Sequence, residues 1–134
     1  TRRELATSNE RFKQTAAQSG EIIWEIDTNG LYTYVSAAVA DILGYTEAEV
    51  VNKIHYYDLL PEQGREQFRA GMREILKQRQ PLKKMEYHVR HKDGHIVTLI
   101  ANGLPMLDDK GDVIGYRGSS RDITERKQME TAII

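Results

Sequence analysis

The 134-residue sequence is 40% apolar and 29% charged, which is the composition of a globular domain with a single core. Its 19 basic and 20 acidic residues nearly cancel, so no general field attracts nucleic acid or an anionic membrane surface. Because the chain has no cysteine and no apolar run long enough to cross a bilayer, we exclude disulfides, thiolate chemistry, groups attached through sulfur and membrane contact by this stretch.

The first twenty residues predict an amphipathic leader helix. Leu5, Phe12 and Ala16 recur at helical spacing, and Gly20 provides a stop. Such a helix is too short to be stable alone, so we expect these three side chains to form the interface of a homodimer. The chain begins at Thr1 without a signal segment, which we interpret as an internal piece of a longer, cytoplasmic protein.

Five stretches of alternating apolar and polar residues predict β-strands. Turn residues rich in Asn, Asp and Gly separate neighbouring strands at 27–30, 92–94 and 108–111. The predicted strands cover residues 22–26, 31–35, 85–89, 96–100 and 113–123.

A helical block separates the second predicted strand from the third. Residues 37–53 form short helical pieces, in which Thr46 and Glu49 have the spacing of a capping box. Pro61 opens a longer helix that reaches about Gln78. Strands on either side of a helical block predict an α+β fold with an antiparallel sheet.

Four short motifs resemble a known signalling family. In order they are Gly44-Tyr45 followed by Glu49 and Val50, Lys92-Asp93-Gly94, Gly111–Gly115, and Arg121–Lys127. Together they are similar to a PAS domain with its C-terminal PAC segment. The resemblance implies a five-stranded antiparallel sheet in the order 2-1-5-4-3, with helices on one face around a small cavity. With the predicted leader helix, this divides the chain into a leader at 1–20, the sensory domain at 21–124 and the start of a signalling helix at 125–134.

One departure from the family pattern concerns a helix cap. Ser36 stands where the family usually carries Asn at the end of the second strand. Because serine has a shorter hydrogen-bonding side chain, we expect the cap of the following helix to differ.

The predicted interior contains the candidate ligand pocket. Large apolar side chains and two polar ones are expected to face it: Trp24, Tyr34, Phe68, Met72, Tyr87, Leu99, Asn102 and Ser119. A filled core is the other interpretation, because buried aromatic residues more often pack than bind.

The end of the last strand is the candidate signal relay. Asp122, Ile123 and Thr124 lie where strand gives way to helix, and Thr124 has the chemistry of an N-cap, with Glu125 favourable on the helix dipole. A structural cap explains the residue types, whereas the resemblance implies that this triplet relays a shift of the sheet to the outgoing helix.

The sequence predicts no metal site and no cofactor. His91 and His95 flank a turn, with His88 on the preceding strand, and a solvated turn does not enclose an ion. Haem-binding relatives carry a ligand on the longer helix, where residues 62–79 contain no histidine. The absence of cysteine excludes a cysteinyl-flavin photocycle, and non-covalent flavin has no specific signal.

No motif predicts catalysis within the chain. Gly118-Ser119-Ser120 is not a nucleophile elbow, and the glycines are too few for a phosphate loop. Two hypotheses therefore remain open. The first is a sensory input domain that binds a small ligand or partner and signals to a neighbouring effector, such as a histidine kinase or diguanylate cyclase. The second is a ligand-free scaffold for dimerisation and relay.

Overall fold

The structure is a computed structural model that describes residues 20–133. Within these residues, five strands and four α-helices form an α+β fold. In chain order the elements are β1 (Ile22–Asp27), β2 (Tyr32–Val35), α1 (Ala38–Leu43), α2 (Glu47–Val50), a 3₁₀ turn (Tyr56–Asp58), α3 (Arg65–Lys77), β3 (Leu82–Arg90), β4 (Ile96–Leu107), β5 (Val113–Asp122) and α4 (Thr124–Ile133).

The sheet has the predicted topology. Its strand order is β2-β1-β5-β4-β3, and every neighbouring pair is antiparallel. The first and last strands therefore lie side by side in one layer, which confirms the fold. The predicted leader helix and its side chains Leu5, Phe12 and Ala16 lie outside the described residues. Within residues 20–133, no helix has both the length and the apolar character that crossing a bilayer requires.

One face of the sheet carries the core. Side chains from β1, β4 and β5 pack there against α1, α2, α3 and the segment before α3. Tyr116 in β5 is fully buried, and its hydroxyl donates to the carbonyl oxygens of Gln80 at 2.5 Å and Ile75 at 3.3 Å. The last strand therefore fixes the end of α3 over the sheet.

The β3–β4 turn packs against the helical block. The Lys92 N–H donates to the Leu43 carbonyl oxygen at 2.9 Å, and the His91 ring lies against the α-carbon of Gly44. Gly44 has φ of 80°, and a Cβ there would come within 2.6 Å of that ring. The tip of the turn, residues 92–95, is exposed as predicted, while His91 at its base packs against the end of α1.

The predicted capping box is present at the start of α2. Thr46 Oγ1 accepts from the Glu49 N–H at 3.2 Å, and Glu49 accepts from the Thr46 N–H at 2.9 Å. Lys92 Nζ also lies 2.7 Å from the Glu49 carboxylate. The box thus links α2 to the β3–β4 turn as well as capping the helix.

Glu49 should make part of the stability depend on pH. The hydrogen bonds from Lys92 and Thr46 lower the pKa of Glu49 from 4.5 to about 2. Because the folded pKa is the lower one, this stabilisation is complete above about pH 4.5 and is lost as the pH falls towards about 2. In urea unfolding, we expect Glu49→Gln to lose less stability over this range than wild type. Equal slopes in Glu49→Gln and the wild type would contradict this role.

Ser36 does not cap the helix that follows it. Its hydroxyl oxygen accepts from the Ile23 N–H at 2.9 Å, and its own N–H donates to the Ile23 carbonyl oxygen at 2.8 Å. α1 has no side-chain cap. Ser36 therefore extends the pairing between β1 and β2, and its side chain leaves the following helix uncapped.

Candidate functional site

A small apolar cavity lies between the sheet and α3. Trp24, Phe68, Met72 and Tyr87, four of the predicted pocket residues, line it. Its volume is about 30 Å³. A second space of about 10 Å³ lies beside Trp24 and Tyr87, and Leu99 reaches only this one. The structure thus brings five of the eight predicted residues to two adjoining spaces.

Tyr34 does not reach the cavity, and Tyr32 lines it instead. The β1–β2 register shifts between Glu25 and Ile26, so that Tyr34 pairs with Glu25 and Tyr32 pairs with Ile26. An irregularity of this kind reverses which side chains face the core. Simple alternation along β2 puts Tyr32 and Tyr34 on one face, so the choice of Tyr34 was wrong and only the register shift separates the two.

Asn102 and Ser119 lie on the opposite face of the sheet, where they pair with each other across β4 and β5. They border a polar basin of about 420 Å³ together with Arg121. Asn102 Oδ1 accepts from the N–H of Lys84, a residue with φ of 47° at the irregularity in β3. The prediction that Asn102 and Ser119 enter the pocket is therefore wrong.

Ser120 is the polar group of the interior that the sequence analysis missed. It is 1% exposed, and its hydroxyl oxygen accepts from Trp24 Nε1 at 2.9 Å. The Tyr87 hydroxyl forms a second hydrogen bond with Ser120 at 2.8 Å. Burial raises the pKa of Tyr87 to about 12. Alternation from Tyr116 inward would have identified Ser120, because residues two apart on a strand share a face.

The cavity is small as it stands. Space of about 30 Å³ holds roughly two water molecules, whereas ligand pockets usually measure about 300 Å³ or more. Met72 and Met85 both line it, and methionine side chains adapt to irregular spaces. Burial also raises the pKa of Tyr32 well above 10.0, so its hydroxyl stays protonated at neutral pH. The interior therefore offers an apolar, adaptable wall.

Thr98 in β4 holds the junction between β5 and α4 through both of its backbone groups. Its carbonyl oxygen accepts from the Ile123 N–H at 2.9 Å, and its N–H donates to the Thr124 hydroxyl oxygen at 2.9 Å. The same hydroxyl donates to Asp122 Oδ1 at 2.6 Å. The three predicted relay residues therefore form one hydrogen-bonded unit with the neighbouring strand.

Thr124 does not act as the N-cap of the outgoing helix. α4 begins at Thr124 itself, and its N–H donates to Asp122 Oδ1 at 2.9 Å. Thr98 and Asp122 occupy the Thr124 hydroxyl, and the Asp122 carboxylate satisfies the first N–H of the helix. The sequence has the right residues at this junction, but their roles differ from the expectation.

Charged contacts tie the first turns of α4 to β3. Lys127 Nζ lies 2.9 Å from the Glu86 carboxylate, and an Arg126 nitrogen lies 3.7 Å from it. Both cations also approach Glu130, at 3.6 Å. α4 is therefore attached to the sheet at two strands, β4 through hydrogen bonds and β3 through ion pairs.

The β3–β4 turn brings His91, Asp93 and His95 together, with one ligand atom from each within 4.8 Å of the others. The two imidazole rings stack, with centroids 4.5 Å apart and planes 21° apart. Nearly parallel rings direct their nitrogen lone pairs along separate planes, which does not suit a common ion. His91 Nδ1 also accepts from the Asp93 N–H at 3.1 Å. We interpret the cluster as part of the turn structure.

Comparison with known proteins identifies similar sequences. The sequence model of the family described as PAS fold matches residues 16–128. The methyl sulfide methyltransferase-associated sensor of Methanosarcina acetivorans is 27% identical over 97% of this chain, which corresponds to 13% of that protein. The chain spans only 13% to 15% of the length of the curated relatives it matches.

Solved structures share the architecture. A sensory box histidine kinase/response regulator from Burkholderia thailandensis superposes with a TM-score of 0.72, at 23% identity and 92% coverage of both chains. The N-terminal domain of a diguanylate cyclase with PAS/PAC sensor from Marinobacter aquaeolei gives a TM-score of 0.70, at 18% identity over 80% of this chain and 98% of that one. At these identities the likeness concerns the fold.

Proposed function

The chain belongs to the PAS fold family, and we propose that it is a sensory or regulatory input domain that signals through α4 to an effector elsewhere in a longer protein. The structural neighbours include portions of a histidine kinase and a diguanylate cyclase, which supports an effector of that type. The chemistry then belongs to the effector, and this domain supplies regulation. We further propose a cytoplasmic homodimer.

The observation that carries this proposal is the bond between Thr98 and the β5–α4 junction. Thr98 precedes Leu99, whose side chain lies in the interior beside Trp24 and Tyr87. Its two backbone groups hold Ile123 and Thr124, where α4 begins. A displacement of β4 by an interior ligand therefore moves the start of the outgoing helix directly.

The signal takes the form of a population shift. A ligand or partner changes the balance between two arrangements of α4 only if it binds them with different affinity. The Thr98 bonds hold one arrangement, and the Glu86 ion pairs with Lys127 support it. Breaking the Thr98 contacts should favour the other arrangement.

Replacing Thr124 with valine should loosen the junction without unfolding the domain. Thr124→Val keeps the side-chain volume but removes the hydroxyl that accepts from Thr98 and donates to Asp122. We expect faster amide hydrogen exchange at Thr98 and in the first turn of α4, by about five- to tenfold for a loss of about 1 kcal/mol. Exchange in β1 should stay unchanged.

Thr131→Val is the matched control for this experiment. The Thr131 hydroxyl donates to the Lys127 carbonyl oxygen within α4 itself, at 2.9 Å, so its removal leaves the junction intact. In the longer protein, Asp122→Ala and Thr124→Val should alter regulated output while the fold persists, and Thr131→Val should not. Wild-type regulation in all three variants would refute the relay.

The small cavity favours a second candidate function. A space of about 30 Å³ suits a filled core, so the domain can act as a ligand-free scaffold for dimerisation and relay. Native mass spectrometry of protein purified from its own host separates the two functions. A retained molecule at one per chain supports the sensor, whereas an empty dimer supports the scaffold.

A further inference from the structure

A groove on the surface lies directly outside the interior cavity. It runs between the segment 60–65, which leads into α3, and the edge of the sheet at 86–88, and its volume is about 250 Å³. Phe68 and Tyr87 line both the groove and the cavity, and their ring centroids are 5.8 Å apart. These two rings are therefore the partition between the outside and the interior.

Arg65 borders this groove and carries a donor without an acceptor. Its Nη2 donates to the Leu60 carbonyl oxygen at 2.8 Å, which fixes the guanidinium group. Its Nε is buried and has no hydrogen-bond partner in the part of the chain that the structure describes. A buried donor on a charged group is costly to leave unpaired, and a carboxylate is the acceptor that best matches the guanidinium fork.

The other charged groups at the groove do not satisfy Arg65. Glu86 borders the groove, but Lys127 and Arg126 compensate its carboxylate at 2.9 Å and 3.7 Å. His88 is exposed on β3 and brings no negative charge. The groove is therefore lined by the charged Arg65 side chain, whose unpaired Nε is buried behind the surface, beside two aromatic rings that cover an apolar space.

We propose that the domain binds a small amphiphilic carboxylate at this place. The carboxylate accepts from Arg65 in the groove, and an unbranched apolar chain passes between Phe68 and Tyr87 into the cavity. Met72 and Met85 rearrange to accommodate the chain, because their flexible side chains form part of the cavity wall. This inference rests on the proposed sensory function, for which it names the class of ligand.

Sodium octanoate and 1-octanol test the inference because they share one apolar chain and differ in the carboxylate. Trp24 is the only tryptophan and lines the cavity, so its fluorescence reports on an occupied interior in the 134-residue chain. We expect both probes to saturate the signal, with octanoate binding at least about tenfold more tightly because of the charge-assisted hydrogen bond. Arg65→Gln should abolish that difference and leave the affinity for octanol unchanged.

Two further variants complete the test. Arg65→Lys keeps the charge but not the fork, so it should recover only part of the preference for octanoate. Arg69→Gln is the matched control, because Arg69 lies over the Tyr57 ring and pairs with Glu66 outside the groove. Equal affinities for the two probes, no saturable binding, or an octanoate affinity insensitive to Arg65→Gln would each overturn the inference. None of these outcomes affects the Thr124→Val experiment, which tests the sensory relay separately.

Discussion

Gly118→Ala will lower the free energy of unfolding by about 3 kcal/mol, although alanine normally suits a strand better than glycine. Gly118 lies in β5 opposite Gly103 in β4 and beside Trp24 in β1. A Cβ at Gly118 would come within 2.1 Å of the Asn102 carbonyl oxygen and 2.7 Å of the indole ring. The backbone oxygen cannot move without breaking the sheet, so the sheet must deform.

Gly71→Ala provides the control for this prediction. Gly71 lies within α3, and beyond the local helix backbone a Cβ there would have no atom within 4 Å. The same chemical change should therefore raise the free energy of unfolding by about 1 kcal/mol, through helix propensity alone. Urea unfolding of both variants measures the two effects. Destabilisation of less than about 1 kcal/mol by Gly118→Ala would show that the indole does not lie against this glycine.

The sheet could be predicted because its signals are local. Alternation and turn residues located the five strands, and the spacing of Thr46 and Glu49 located a real capping box. The strand order came from the family resemblance, and the observed order agrees with it. The local sequence pattern does not indicate which distant strands pair, so it could not predict the strand order by itself.

The inward-facing side chains were harder to predict because irregularities interrupt the alternation. Tyr34 was chosen over Tyr32, and the register shift in β1–β2 decides between them through tertiary pairing. Asn102 and Ser119 were chosen for their chemistry. Their faces could have been read by alternation from Leu99 and Tyr116, which are buried residues of the same strands.

The relay shows a different limit. Asp122 and Thr124 have strong local preferences at a helix start, so the position of the junction could be predicted. The role of Thr124 could not, because its partner Thr98 is 26 residues away in the chain. When a side chain can bond to more than one partner, the strand that packs beside it determines which hydrogen bonds form. The same reasoning applies to Arg65, whose unpaired donor becomes visible only when its surroundings are known.

Ser120→Ala will also destabilise the domain, by about 3 kcal/mol, because one small deletion leaves two polar groups of the interior without their partner. Trp24 Nε1 and the Tyr87 hydroxyl both bind the Ser120 hydroxyl, at 2.9 Å and 2.8 Å. Tyr87→Phe should cost about 1 kcal/mol, since Ser120 then keeps its bond to Trp24.

The neighbouring residue separates this effect from a general effect of removing a hydroxyl from β5. Ser119→Ala makes the same change on the outer face, where Ser119 borders the polar basin, and it should alter the free energy of unfolding by less than about 0.5 kcal/mol. Urea unfolding gives the energies, and the indole N–H resonance of Trp24 should shift only in Ser120→Ala. Equal costs for the two serine variants would mean that the Trp24–Ser120–Tyr87 network does not organise the interior. In that case the wall of the cavity would not be rigid, and a bound ligand could be accommodated without displacing β4.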